Sequence, residues 1–332
     1  MGLGLAAAVL AAGPAGAGPP MPDTATAERL ARRQAAKSGH LQVPLPGTPD
    51  TARPLTRLAA IGVGLGAPLM IRIFKAESEL EVWVERGSVY VPFATYPICY
   101  WSGTLGPKLR EGDKQTPEGF YTLTEKHLHH GGRWRRSLNI GYPNVFDRVN
   151  GRSGSVILVH GGCDSVGCFA MTDPVNAELY DLVSASLRAG TQHVPVHVFP
   201  FRMTEAKLAA HAAGPWNDFW SDLKQGYDSF ERTRRPPSIS VCGRRYRVRD
   251  ASPFVRDAEG IALCEADRDL IPAHLERQEQ ADAGQARKNE PPPCALARAS
   301  CRKWVALRDR RATSRTVATR GSSSGGKRSA VR

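Results

Sequence analysis

Val156-Ile157-Leu158-Val159-His160-Gly161-Gly162-Cys163-Asp164-Ser165-Val166-Gly167-Cys168-Phe169-Ala170-Met171-Thr172-Asp173 is the stretch on which the reading of this chain turns. An apolar, largely β-branched run stops at a histidine, and a glycine-rich polar loop then delivers two cysteines. Such a run reads as a short buried strand. The glycines permit backbone angles closed to other residues, and a polar loop on a rigid strand is where binding and catalytic groups concentrate. Cysteine attacks acyl carbons as its thiolate, so it needs a base and donors for the oxyanion that forms. His160 is placed to be the base, and the backbone N–H groups around Gly167 and Cys168 are candidate donors. On spacing alone, Cys163 and Cys168 are both eligible nucleophiles. A competing zinc site would combine His160, Cys163 and Cys168 with His193 and His197. But His193-Val194-Pro195-Val196-His197 reads as extended, which sets its two rings about 13 Å apart at a rise of about 3.3 Å per residue. The expectation is therefore no metal and no cofactor.

Outward from this stretch, strands and turns dominate. Pro68 to Phe74, Glu79 to Glu85 and Val89 to Ala94 alternate apolar and polar residues around short turns, a β-meander pattern. A long Gly/Pro-punctuated loop, Leu105 to Gly119, precedes strand-like Phe120 to Leu123 and is a candidate for binding work. After the central stretch, Asp173-Pro174 signals a helix start, and Val175, Leu179, Leu182, Val183 and Leu187 fall on one helical face. Val194 to Pro200 is a further strand, and Thr204 caps a short Ala-rich helix. Pro215 to Arg232 reads as an aromatic-faced helix, and Ser238 to Cys242 with Tyr246 to Val248 as a closing hairpin. Short strands with peripheral helices make residues 59–250 a mostly β, or α+β, domain.

The chain has 332 residues, and a hydrophobic content of 41% supplies a core for part of it. Its net charge is +13, and the stretch from Cys294 onward, with eleven basic residues and one acid, contributes +10 of that. The basic excess is thus a property of the tail, which argues against a domain that reads nucleic acid. Residues 251–332 are expected to be largely disordered and residues 23–58 to be a linker with a helical patch at Ala27 to Ala36. Residues 1–22, with an apolar core at Leu3 to Ala12 and an A-x-A-type site at Ala15 to Ala17, read as a secretory signal peptide without the usual basic start. No run is long enough for a stable membrane span. Seven cysteines, an odd number, suit an exported protein with several bridges and one free catalytic thiol. Cys99, Cys242 and Cys264 read as structural.

Ser165-Val166-Gly167-Cys168 after His160-Gly161 resembles the active-site motif of the L,D-transpeptidase (YkuD-type) family. Thr116-Pro117-Glu118-Gly119-Phe120 resembles a second family segment. Trp101-Ser102-Gly103, Asn139 to Asn144, Cys168 to Asp173 and Phe219-Trp220 resemble its YafK-like murein L,D-transpeptidase branch, over about residues 59–250. The resemblance implies a catalytic β-sandwich with peripheral helices, Cys168 as nucleophile, His160 as base, and a backbone orienting role for Gly161. It leaves Gly167 and Ser165 as loop and oxyanion residues. The implied substrate is the peptidoglycan stem peptide: Cys168 attacks the carbonyl of the third, diaminoacid residue, releases D-alanine and forms a thioester, in a periplasmic or cell-envelope setting. A second stem or a wall-anchored lipoprotein is the implied acceptor. A hydrolase splitting such links is the alternative, and a non-catalytic wall-binding protein a further one. Val166 and Ala170 depart from the motif, since many members have His and Arg there. Lys108, Arg110, Lys114, Tyr142 and Arg148 are the candidate substrate contacts, with a cation among them standing in for that Arg.

Overall fold

The computed structural model describes residues 24–131, 133–251 and 260–270. The expected signal peptide and the basic tail beyond residue 270 lie outside them. Two helices, α1 (Thr24–Lys37) and α2 (Pro54–Ala60), precede β1 (Leu69–Phe74), β2 (Glu79–Arg86), β3 (Val89–Pro97), β4 (Tyr100–Trp101) and β5 (Gly119–Leu123). Then follow β6 (Leu128–His129), β7 (Ser137–Asn139), α3 (Val145–Val149), β8 (Leu158–His160), β9 (Phe169–Ala170), α4 (Asp173–Arg188) and β10 (Val194–Phe199). α5 (Glu205–Ala210), α6 (Asn217–Thr233), β11 (Ser238–Cys242), β12 (Arg245–Arg249) and β13 (Ala262–Leu263) complete the α-helices and strands among the described residues.

Every residue of β1 is buried. Strand side chains alternate between faces, so both faces of its sheet must be covered. That sheet runs β3-β2-β1-β10-β5, with β1 and β10 parallel and the other pairs antiparallel. On one face Leu69, Ile71 and Ile73 join Leu80, Val82, Val196 and Val198 in the main core. On the other, Phe74, Phe120 and Phe199 pack against Trp220, Leu223 and Phe230 of α6 and against Val241 and Tyr246 of the closing hairpin. The aromatic face foreseen for Pro215 to Arg232 is this contact. A second sheet, β4-β9-β8-β7-β6, shares the main core through Leu138, Val159 and Phe169, and α4 packs there through Val175, Leu179 and Val183. The result is the expected α+β arrangement of mixed sheets with peripheral helices.

Two boundaries differ from the reading of the sequence. Residues 23–58 read as a linker with a helical patch at Ala27 to Ala36; that patch lies within the longer α1, and the stretch also holds most of α2, with Leu58 in the main core and Arg29 buried. α1 has no apolar stripe and buries only that arginine, so hydrophobic periodicity could not disclose its docking. Residues 260–270, placed with the disordered tail, instead add β13 alongside β11 and tie Cys264 to Cys242 in a disulfide. The helix starts at Asp173 as expected, with Thr172 in the N-cap position and no capping hydrogen bond from its side chain.

Candidate active site

The register of the second sheet brings the central residues together. β8 and β9 are parallel, with Val159 opposite Phe169 and His160 opposite Ala170. One step back, Leu158 lies beside Cys168 and donates its N–H to Cys168 Sγ at 3.2 Å. Ile157, Val159, Phe169 and Met171 face the main core. By alternation Leu158, His160, Cys168 and Ala170 stand on the opposite face. β4 extends that face, because Tyr100 pairs with Ala170 while Trp101 pairs with Phe169 and enters the core.

His160 is buried, and its Nδ1 lies 2.6 Å from the Gly161 carbonyl oxygen. A carbonyl can only accept, so Nδ1 carries the proton and Nε2 keeps its lone pair. The Trp134 ring covers the imidazole at a centroid distance of 4.1 Å. Glycine at position 161 leaves room for Asp173, whose Oδ1 a Cβ there would meet at 2.2 Å and displace. Burial lowers the pKa of His160, against smaller opposing effects of the Gly161 carbonyl and Asp164, so the ring is a neutral base at pH 7. Burial also raises the Cys168 thiol, opposed by the Leu158 N–H, the Ser165 hydroxyl and the Lys108 ammonium. Both directions favour a neutral thiol and a neutral imidazole over a thiolate and an imidazolium.

The loop that ends at Cys168 is braced by side chains. Ser165 Oγ accepts from Cys168 N and donates to Cys168 O, both at 2.9 Å. Gly167 has φ 94°, a conformation that favours glycine, and its N–H donates to Ser102 Oγ at 2.6 Å. Ser102 in turn donates to the Lys114 carbonyl at 2.8 Å. The two N–H groups expected to line an oxyanion hole, those of Gly167 and Cys168, are therefore already engaged by hydroxyls, and in this structure they hold Cys168 in place. Ser102 had entered the sequence reading only as part of a motif. Its role depends on a contact 65 residues away, which spacing does not reveal.

Cys163 is bonded to Cys99 in a disulfide, and Cys168 is the free cysteine among the described residues. The bridge removes Cys163 both as a nucleophile and as a thiolate ligand. His197 lies in the strand core, its ring 4.6 Å from that of Phe120, with its pKa lowered to about 3 by burial and by Arg72. The zinc reading therefore loses two of its donors, Cys163 to the disulfide and His197 to core packing.

The cationic candidates fall in different places. Lys108 is buried, donating to Asp113 Oδ1 at 2.5 Å and to the Arg110 carbonyl at 2.8 Å. Tyr142 is buried with its hydroxyl against the Lys108 and Ser153 carbonyls, and Arg148 donates to the Pro143 carbonyl at 2.6 Å. Lys114 and Arg110 are exposed on the loop. Behind the loop, fully buried Lys75 and Glu118 pair at 2.9 Å. Glu118 also accepts from Gly106 N and Trp220 Nε1, both at 2.7 Å. This pair, which the sequence reading missed, anchors the Thr116-Pro117-Glu118-Gly119 segment.

Residues 69–198 match the YkuD family, described as an L,D-transpeptidase catalytic domain. Over 184 residues, which are 55% of this chain and 75% of the relative, the chain is 44% identical to "Putative L,D-transpeptidase YafK" of Escherichia coli (strain K12). The chain belongs to the L,D-transpeptidase family. Among solved structures, it is similar to the helical cell shape determining protein Pgp2 of Campylobacter jejuni, at 17% identity and TM-score 0.30, over 57% of this chain and 80% of that one. It is also similar to Bd1075 of Bdellovibrio bacteriovorus, at 20% identity and TM-score 0.28, over 50% and 58%. No helix among the described residues is long and apolar enough to cross a membrane.

Proposed function

We propose that this protein is a cysteine acyltransferase of the cell envelope that acts on peptidoglycan stem peptides, with Cys168 as nucleophile and His160 as base. One observation carries the reading: the free thiol shares a sheet face with a neutral histidine whose proton is held at Nδ1. His160 Nε2 takes the thiol proton as Sγ attacks the carbonyl carbon of the diaminoacid residue. The C–N bond to D-alanine breaks, the imidazolium returns the proton to the leaving amine, and a thioester remains. An acceptor amine then attacks, gives a proton to His160, and the C–S bond breaks to regenerate the thiol. Ser165 and the Leu158 N–H hold the sulfur in line. Lys108 lowers the cost of negative charge on it from beneath the loop.

The test is incubation of the full chain with purified muropeptides and lipoprotein-linked sacculi, followed by mass analysis. Loss of D-alanine with an acyl adduct on Cys168, absent in Cys168→Ala, supports the reading. New diaminoacid cross-links or lipoprotein anchors identify an amine acceptor, whereas released lipoprotein or split cross-links identify water and a hydrolase. No adduct and no product from any of these substrates would overturn it.

A further inference from the structure

α1 carries Arg29, Arg32, Arg33 and Lys37, and it docks onto the active-site loop through charge rather than apolar burial. The Arg29 guanidinium lies 3.4 Å from the Trp101 ring centroid. Arg33 is held more specifically. Its Nε donates to Asp164 Oδ1 at 2.6 Å, its Nη1 to the Tyr100 hydroxyl at 3.2 Å, and its guanidinium stands 4.5 Å from the Tyr100 ring centroid. Lys37 stands 3.7 Å from the other oxygen of Asp164. Ala36 and Leu41 pack with Leu45 on the Cys99–Cys163 disulfide, so the end of the helix is fastened to the same loop.

Tyr100 pairs with Ala170 and stands on the face that carries His160 and Cys168. Ala170 is one same-face step from Cys168, about 6.6 Å along the strand. Its methyl offers nothing polar to a substrate there. Asp164 lies in the loop that joins His160 to Cys168, so the Arg33–Asp164 pair is fastened to the loop that carries the thiol. Lys108 is consumed by Asp113 and buried under the loop. Arg33 keeps a 26% exposed side chain, and among the described residues nothing accepts from its Nη2. With Nε and Nη1 engaged, the Nη2 N–H groups are the donors that this guanidinium has left to offer a carboxylate.

We infer that Arg33, supplied by the N-terminal helix and not by the catalytic sheet, is a specificity-determining cation that receives a free carboxylate of the donor peptide beside Cys168. The inference rests on the proposed reading of the site as one for stem peptides. Two carboxylates of such a donor satisfy this chemistry, that on the diaminoacid side chain and that of the terminal D-alanine.

The experiment measures acylation of Cys168 in the full chain with three tetrapeptide donors: unmodified, amidated on the diaminoacid side chain, and amidated at the C-terminus. Arg33→Ala is expected to lower kcat/KM for the unmodified donor roughly tenfold, chiefly through KM. It should leave one amidated donor unaffected, and that donor identifies the carboxylate. Arg33→Lys should restore part of the loss. Equal losses with all three donors, or none, would overturn the inference. So would a collapse of discrimination in Arg133→Ala alone, since the Arg133 guanidinium lies 4.7 Å from the centroid of the Trp134 ring that covers His160. If the wild type is acylated by no donor, the functional reading fails separately, and alkylation of Cys168 then decides the role of Arg33. A lower ratio of iodoacetate to iodoacetamide reactivity in Arg33→Ala supports the cation, and an unchanged ratio overturns it. If Arg33→Ala does not fold, Arg33→Gln is read by the same ratios.

Discussion

The two five-stranded sheets use one core in opposite ways. In the first, strands of five to nine residues run in long registers, and the central β1 and β10 are covered on both sides. In the second, no strand exceeds three residues, and each breaks into a loop almost as soon as it has paired. One face of that sheet completes the main core, and the other carries His160, Cys168 and Tyr100. Long ladders confer stability, whereas short ones release chain into loops whose ends stay fixed to a rigid layer. The comparison teaches that stability and chemistry are divided between the sheets. Polar side chains, namely Ser102, Ser165 and the Arg33–Asp164 pair, do for the second sheet what ladders do for the first.

Perturbations should separate along that division. The largest effect on stability is expected where the first sheet meets the long loop. Lys75→Met leaves the Glu118 carboxylate buried without its cation and should cost about 3–5 kcal/mol in urea unfolding. Adding Glu118→Gln should recover part of that loss. Next, replacing Cys99 and Cys163 together by Ala should cost about 2–4 kcal/mol and also slow acylation, because the bridge ties the catalytic loop to the start of β4. The same change at Cys242 and Cys264 should cost comparable stability with acylation retained, and the contrast is read by thermal melts beside a muropeptide assay. Ser102→Ala removes the acceptor of the Gly167 N–H, and should lower acylation by roughly tenfold while moving global stability by only about 1 kcal/mol.

A further perturbation, graded by pH, acts on the first sheet alone. His197 is neutral when folded, with a pKa of about 3 against an ordinary value of 6.5. Between these limits the unfolded chain binds a proton that the folded chain refuses, so stability falls as pH drops from 6.5 toward 3. The loss is about 1.4 kcal/mol for each pH unit. His197→Leu should flatten this limb in urea titrations between pH 6.5 and 4, and an unchanged slope would show that His197 is protonated without penalty.

Much of the first sheet was legible because its strands are long enough to display alternation: the runs at Pro68 to Phe74, Glu79 to Glu85 and Val194 to Pro200 correspond to β1, β2 and β10. The second sheet was not, apart from β8, since strands of two residues have no period to read. The candidate site divides in the same way. Spacing set His160 beside a loop carrying two thiols, and motif resemblance selected Cys168. The disulfide that occupies Cys163, the hydroxyls that engage the Gly167 and Cys168 N–H groups, and the burial of Lys108 all depend on partners distant in the chain.

By itself, then, the sequence determined the kinds of groups available: one histidine at a strand end, glycines where the backbone turns or a Cβ would not fit, and the apolar alternation that requires a covered sheet. These are local properties, set by periodicity and by the conformational limits of each residue type. Only the tertiary structure decided which cysteine stays free, which cations are spent on internal carboxylates and carbonyls, and that a polar N-terminal helix brings Arg33 to the catalytic face. Charge pairing and disulfide formation depend on distances in space, and a helix that docks through arginines leaves no hydrophobic pattern to announce where it will lie.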